Sequence, residues 1–334
     1  VGRAEPLSEP GACRVVGVAG ESILLVRSRD DGELRGFFNV CRHRGAQLCD
    51  AGETRLKGAI RCPYHAWSFA HDGSLLGTPH IAPEELDRDA LALWPVAVEI
   101  WEGTVFVSLA DDPRPLADVL ADQGDWGPLP FARFRLGELR TGRTTVSEVA
   151  ANWKIIIENY NECLHCPTVH PELVRVVPLY RTGSVVDPAR PDGGVALAEG
   201  GDSFTLTGRS RLPLLPGVAP DERGAYYGCI VFPNGFIDVT GTSAILTTLL
   251  PRSASHTTVL TEYLFPADAV DEDGFDPSEV VDFCELVARQ DYDVCERVQR
   301  GVSSRAFTEG VLVEKDDLLH GFNEFYLAAR GPVD

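Results

Sequence analysis

Period-two patterning opens the chain. Short runs rich in β-branched and aromatic residues at 14–18, 23–27 and 34–40 are divided by Ala19-Gly20 and Asp30-Asp31-Gly32, turn chemistry that predicts an antiparallel β domain. After Pro95 the run VAVEIWEGTVFVSL predicts a hairpin turning at Glu102-Gly103, which closes that domain. A Pro- and Asp-rich stretch at 111–130, with a short helix over 116–121, marks a boundary, so domains of 1–125 and 126–334 are expected. The second begins with a strand-like run over 136–149. In 152–172, NWKIIIENYNECLHCPTVHPE, the period changes: Trp153, Ile156, Ile157 and Tyr160 recur at helical spacing. Residues 181–220 are rich in Gly, Pro and Asp and predict a flexible lid or disordered stretch. Strands return at 204–207, 226–232, 236–240, 244–250 and 257–265, and helices over 277–300 and 318–329 end the chain. The fold class is α+β, with two antiparallel β domains and a long helix in the second.

Composition narrows the function. At 334 residues two cores are the expectation, and 44% hydrophobic residues supply them. Fifty acids against thirty bases leave a net charge of −20, which argues against nucleic acid and anionic membranes as partners. No apolar run approaches membrane-spanning length. Nine cysteines, an odd number in a long chain, do not read as a secreted disulfide framework and suit a reducing cytoplasm.

Two groups of residues carry chemistry. Along the predicted helix Glu158, Glu162 and His165 fall at i, i+4 and i+7, and Pro167 is expected to end the regular turn before His170. Two imidazoles near a carboxylate suit Fe(II), bound on one face by two His and one acid with other positions open. In the 277–300 helix, Val280, Cys284, Val287, Asp291, Cys295 and Val298 recur at steps of three and four, so the inward face is apolar except for Asp291. A buried carboxylate needs a cation, either a metal ion or a core arginine; Asp293 faces away and is the solvated alternative. The second group is Cys41-x-His43 with Cys62-x-x-His65. Two thiolates and two imidazoles on paired loops suit either a structural zinc or a [2Fe–2S] centre with two His ligands. Cys49 has no partner at ligand spacing and reads as a small apolar filler, and His71 and His80 as turn residues.

The flanks of the second group favour the cluster. From 41 to 79 the chain resembles the Rieske motif of the ring-hydroxylating oxygenase family in Arg42, Arg44-Gly45-Ala46, Pro63-Tyr64, Trp67 and Asp72-Gly73, with Ala66 where the family usually has Gly. The order continues with Glu162-x-x-His165-x4-His170 and then Gln290-Asp291, Glu296 and Gln299, as in the catalytic subunit of Rieske non-haem iron oxygenases. The resemblance implies a C-terminal helix-grip domain, a curved antiparallel sheet around a long helix. It implies Cys41 and Cys62 on one cluster iron, His43 and His65 on the other, and His165, His170 and Asp291 on a mononuclear iron. It further implies O2 as co-substrate, a flavin or iron–sulfur reductase drawing electrons from NAD(P)H, and a homotrimer. In that trimer Glu162 would relay electrons between His43 or His65 of one subunit and His165 of the next. Most members have Asp at the position of Glu162 and commonly Asn at that of Glu158.

The reaction class expected from this resemblance is hydroxylation or oxidative demethylation of a small molecule. The alternatives are the large subunit of a ring dioxygenase and a Rieske electron carrier. NECLHCPTVHPEL resembles the branch acting on quaternary ammonium compounds such as carnitine, glycine betaine or choline. Tyr226, Tyr227, Phe232, Phe236 and Tyr263, on strands assigned to the pocket side, supply aromatic faces that attract such cations.

Overall fold

The computed structural model describes residues 1–82, 85–124 and 127–331. The chain divides into two compact units, Val1–Val119 and Leu120–Asp334. The boundary expected between 125 and 126 falls on residues outside those described.

In the first unit the described strands are β1 (Ala12–Val18), β2 (Glu21–Arg27), β3 (Leu34–Phe38), β4 (Gly52–Arg55), β5 (Ile60–Arg61), β6 (Ser68–Phe69), β7 (Leu75–Gly77), β8 (Pro95–Trp101) and β9 (Thr104–Ser108). An antiparallel sheet runs β4-β1-β2-β3-β8-β9, and β5-β6-β7 form a smaller one. The expected hairpin forms, with Trp101 opposite Thr104 and both Glu102 and Gly103 at positive φ. Strand β2 is apolar without alternation because both its faces are covered. Ile23 and Leu25 pack with Leu7, Val96 and Val105, whereas Leu24 and Val26 pack with Phe37, Ile60, Trp67 and Phe69. That second cluster is the floor under the two Cys-His loops. A short helix, α1 (Leu116–Ala121), follows β9.

In the second unit the sheet runs β10-β15-β14-β13-β12-β11, from β10 (Leu139–Val149), β11 (Val195–Ala196), β12 (Ala225–Val231), β13 (Gly235–Val239), β14 (Ala244–Ser253) and β15 (His256–Pro266). The helices are α2 (Trp153–Tyr160), α3 (Cys166–Val169), α4 (Leu173–Val176), α5 (Ala267–Val270), α6 (Ser278–Val302) and α7 (Asp317–Arg330). The strand expected at 204–207 does not form. Thr205 and Thr207 donate their hydroxyls to the Arg209 carbonyl, local bonds that compete with a ladder. Nor is 181–220 a free lid: Phe204 and Leu215 are buried, Asp202 accepts from Ser210 N at 2.9 Å and pairs with Arg223, and Leu215 N donates to Gly241 O.

Helix α6 is tied down along its length. Glu285 accepts from Thr145 and Tyr263 at 2.7 and 2.9 Å, Glu296 from Ala150 N at 3.1 Å, and Gln299 from Asn152 N at 2.8 Å. Its apolar stripe is shorter than expected, because Val298 lies 42% exposed beyond the last buried residue, Cys295. Asp293 is exposed, whereas Asp291 is half-buried. Helix α2 starts where the Asn152 side chain caps Lys154 N, and Asn161 is its C-cap. It therefore ends before Glu162 and His165, which do not share a helix face with Glu158. Pro167 starts a helix instead of ending one: it stands in the first turn of α3, where its missing N–H costs nothing, and His170 caps that turn. Among the described residues no helix is long and apolar enough to cross a membrane.

Candidate metal centres

The two Cys-His loops of the first unit are built alike. Cys41 N donates to Ala46 O and Gly45 N to Cys41 O; in the other loop Cys62 N donates to Trp67 O and Ala66 N to Cys62 O, all at 2.8–3.1 Å. Each loop turns through a left-handed residue, Gly45 at φ 73° and Ala66 at φ 59°. Both sulfurs are buried, and the His43 and His65 rings meet at 4.6 Å with His43 stacked on Trp67 at 4.8 Å. Burial pushes the Cys41 thiol up, but the N–H groups of His43 and Arg44 aim at its sulfur and favour the thiolate. Two sulfurs inside, two imidazoles toward solvent and N–H donors at sulfur fit a [2Fe–2S] cluster held by two Cys and two His. The alanine in the second turn is strained, since left-handed backbone costs a non-glycine residue about 1 kcal/mol or more. Ala66→Gly is expected to stabilise this unit by about 1 kcal/mol, seen as a raised thermal midpoint with the cluster retained. His71 is not part of the site: its ring is buried between Arg29 N, at 3.1 Å, and Gly58 O, at 2.9 Å.

In the second unit α3, its preceding turn and α6 bring three donors together. His170 Nε2 lies 2.8 Å and His165 Nε2 3.2 Å from the same Asp291 oxygen. The outer nitrogens are held from behind: His165 Nδ1 at 2.5 Å from Glu162, and His170 Nδ1 at 2.8 Å from Gln290, whose amide donates to Glu172 at 3.1 Å. With both Nδ1 atoms engaged, both Nε2 atoms face one point, the arrangement a metal-bound imidazole requires. Burial alone would push the His165 imidazole down; bonds to Asp291 and Glu162 outweigh it and carry it up to about 9. Burial likewise raises Asp291, but the two imidazoles win and hold its carboxyl below the usual range. The site thus collects positive charge where a metal cation would supply it. Cys166 Sγ also approaches, 3.9 Å from His165 Nε2, but it is bonded to Cys163 and is not a thiolate donor. That bridge was not foreseen from the cysteine count.

Beside these donors is a cavity of about 160 Å³. Tyr226, Phe236 and Tyr263 line it. The structure turns Tyr227 and Phe232 away. Tyr227 follows Tyr226 on β12 and so points to the other face, where its hydroxyl donates to Asp192 at 2.8 Å. Phe232 packs on Phe322 and Phe325, with centroids at 6.0 and 4.4 Å. Tyr160, Tyr180, Phe204 and Asp238 also line the cavity and were missed. For Asp238 a signal existed, since it lies two residues beyond Phe236 on one strand and shares its face.

Residues 136–330 match the model of the ring hydroxylating alpha subunit catalytic domain, and residues 1–100 that of the Rieske [2Fe-2S] domain. The chain is a Rieske non-haem iron oxygenase. It is 31% identical over 323 residues to the glycine betaine monooxygenase oxygenase subunit of Chromohalobacter salexigens, covering 87% of this chain and 71% of the relative. The carnitine monooxygenase oxygenase subunit of Acinetobacter pittii is 28% identical over 334 residues, with 98% and 85% covered. The structure of the quaternary ammonium Rieske monooxygenase CntA shares the fold, with a TM-score of 0.77 at 24% identity over 98% of this chain and 87% of that one. The oxygenase family works with a Rieske [2Fe–2S] cluster, a mononuclear iron, O2 and electrons delivered by a reductase.

Proposed function

We propose that this oxygenase is a monooxygenase that demethylates or hydroxylates a small quaternary ammonium compound. The observation that carries the reading is the aromatic wall of the cavity beside His165, His170 and Asp291. Tyr160 stacks on Phe236 at 4.1 Å, and Phe204 tilts against Tyr226 at 4.9 Å. Each ring face attracts a cation by about 0.5–2 kcal/mol. In this reading Cys41, Cys62, His43 and His65 hold the cluster, and His165, His170 and Asp291 hold the mononuclear iron. The iron would supply oxygen activation. Glu162 orients His165 through Nδ1 and would relay electrons that a cluster held by a neighbouring subunit of a homotrimer would supply. The reductase is a flavin or iron–sulfur protein fed by NAD(P)H. The compartment is the cytoplasm, in keeping with the described cysteines forming no disulfide framework beyond the short-range Cys163–Cys166 bridge.

Two measurements test this. Purified protein is expected to contain three irons and two acid-labile sulfides per chain, about two irons in the cluster and one removable by chelation; stoichiometric zinc without sulfide overturns both metal assignments. With NADH and a reductase, a trimethylammonium substrate is expected to give oxygen uptake coupled to formaldehyde or a hydroxylated product. In demethylation one oxygen atom ends in formaldehyde and the other in water. Coupled uptake on a simple aromatic alone would instead support the ring-dioxygenase reading.

A further inference from the structure

We infer that Asp238, with the phenols of Tyr160 and Tyr226, seats the ammonium head of the substrate, and that this seat selects a net cation over a zwitterion. The inference rests on the quaternary ammonium reading and refines it. Asp238 lies on β13 between Ile237 and Val239, only 9% exposed, and lines the cavity. One of its oxygens accepts from Tyr226 at 2.7 Å and Tyr160 at 2.8 Å. Among the described residues no ion pair reaches it, so two neutral hydroxyls are its support. Burial pushes its carboxyl up to about 6, against the pull of the two phenols. A carboxylate so placed weakens a sheet core unless a cation comes to it. A quaternary trimethylammonium head fits that demand, because it has no N–H to donate and is bound by charge and by ring faces.

The rest of the lining sets the discrimination. Among the described residues that line the cavity there is no lysine and no arginine, while Glu162 and Asp291 add two further acids. The two imidazoles are committed to Asp291, Glu162 and Gln290. An iron held by His165, His170 and Asp291 would bring two positive charges, which Asp291 and Glu162 balance, so Asp238 stays the uncompensated charge of the lining and repels a carboxylate carried by the substrate. A cation with a neutral hydroxyl or alkyl tail does not meet that repulsion.

The test uses the metal-loaded protein and three ligands in titration calorimetry: choline, its neutral carbon isostere 3,3-dimethylbutan-1-ol, and glycine betaine. Wild type is expected to bind choline at least about tenfold tighter than either of the others, and Asp238→Asn to erase the preference of choline over the neutral isostere while leaving the isostere's affinity unchanged. A merely structural aspartate would lower all affinities together. An unchanged choline-to-isostere ratio in Asp238→Asn overturns the inference, as does glycine betaine binding to wild type as tightly as choline. Both of those leave the quaternary ammonium reading standing. Failure of wild type to bind either ammonium ligand removes that reading together with this one. If Asp238→Asn does not fold, the wild-type comparison still decides.

Discussion

Asp291→Ala is expected to abolish turnover while the visible spectrum of the Rieske cluster stays unchanged. Both Nε2 atoms face this carboxylate, at 2.8 and 3.2 Å, and α6 holds it there through bonds on either side of the site. Removing it leaves two imidazoles and no negative ligand, too little for a hard dication. The loss should exceed the roughly 10- to 100-fold that changing an outer partner of a metal ligand costs. Iron analysis should show one iron fewer per chain with sulfide unaltered, because the four proposed cluster ligands belong to the other compact unit. Normal turnover in this variant would mean that another acid, Asp293 first, is the ligand; its exposure on α6 argues against that.

Glu162→Gln is expected to keep both metals and to slow electron delivery to the mononuclear site. Glu162 reaches His165 Nδ1 with one oxygen, and its other oxygen accepts from Leu164 N and His165 N. Gln keeps the size but turns one acceptor into a donor and removes the charge. Stopped-flow reoxidation of the reduced cluster, with substrate and O2 in a single turnover, reads the step directly. A fall of about 10- to 100-fold with iron content unchanged supports the relay. Normal reoxidation with weakened iron binding would reduce Glu162 to orienting His165.

Much of this was legible because it depends on spacing alone. The helical register that points Asp291 inward survives in α6, and the Cys-His spacings of the first unit lie on the paired loops they imply. What escaped depends on where backbone turns. Asn161 ends α2 one residue before Glu162, so the acid and His165 come together through a turn and not along a helix face. Gln290 bonds His170 across a separation of 120 residues, which no local pattern reveals. Tyr227 and Phe232 were grouped with Tyr226 as aromatics on one strand, whereas alternation and packing against α7 separate them. Tyr180 comes from a single short 3-10 turn, Pro178–Thr182, and Phe204 from an irregular segment, too little regular structure for period to carry information about direction.

The bonds along α6 make the helix a toothed rail, with Glu285, Asp291 and Gln299 as teeth engaging three different parts of the unit. One residue added between Glu285 and Asp291 would swing the carboxylate by about 100° and shift everything after it by about 1.5 Å. By contrast, the exposed turn at Gly274, where a side chain would meet nothing within 4 Å, can lengthen without moving a tooth. Chain length is therefore free in such turns and quantised along the rail, which can grow or shrink only by whole turns placed outside its teeth.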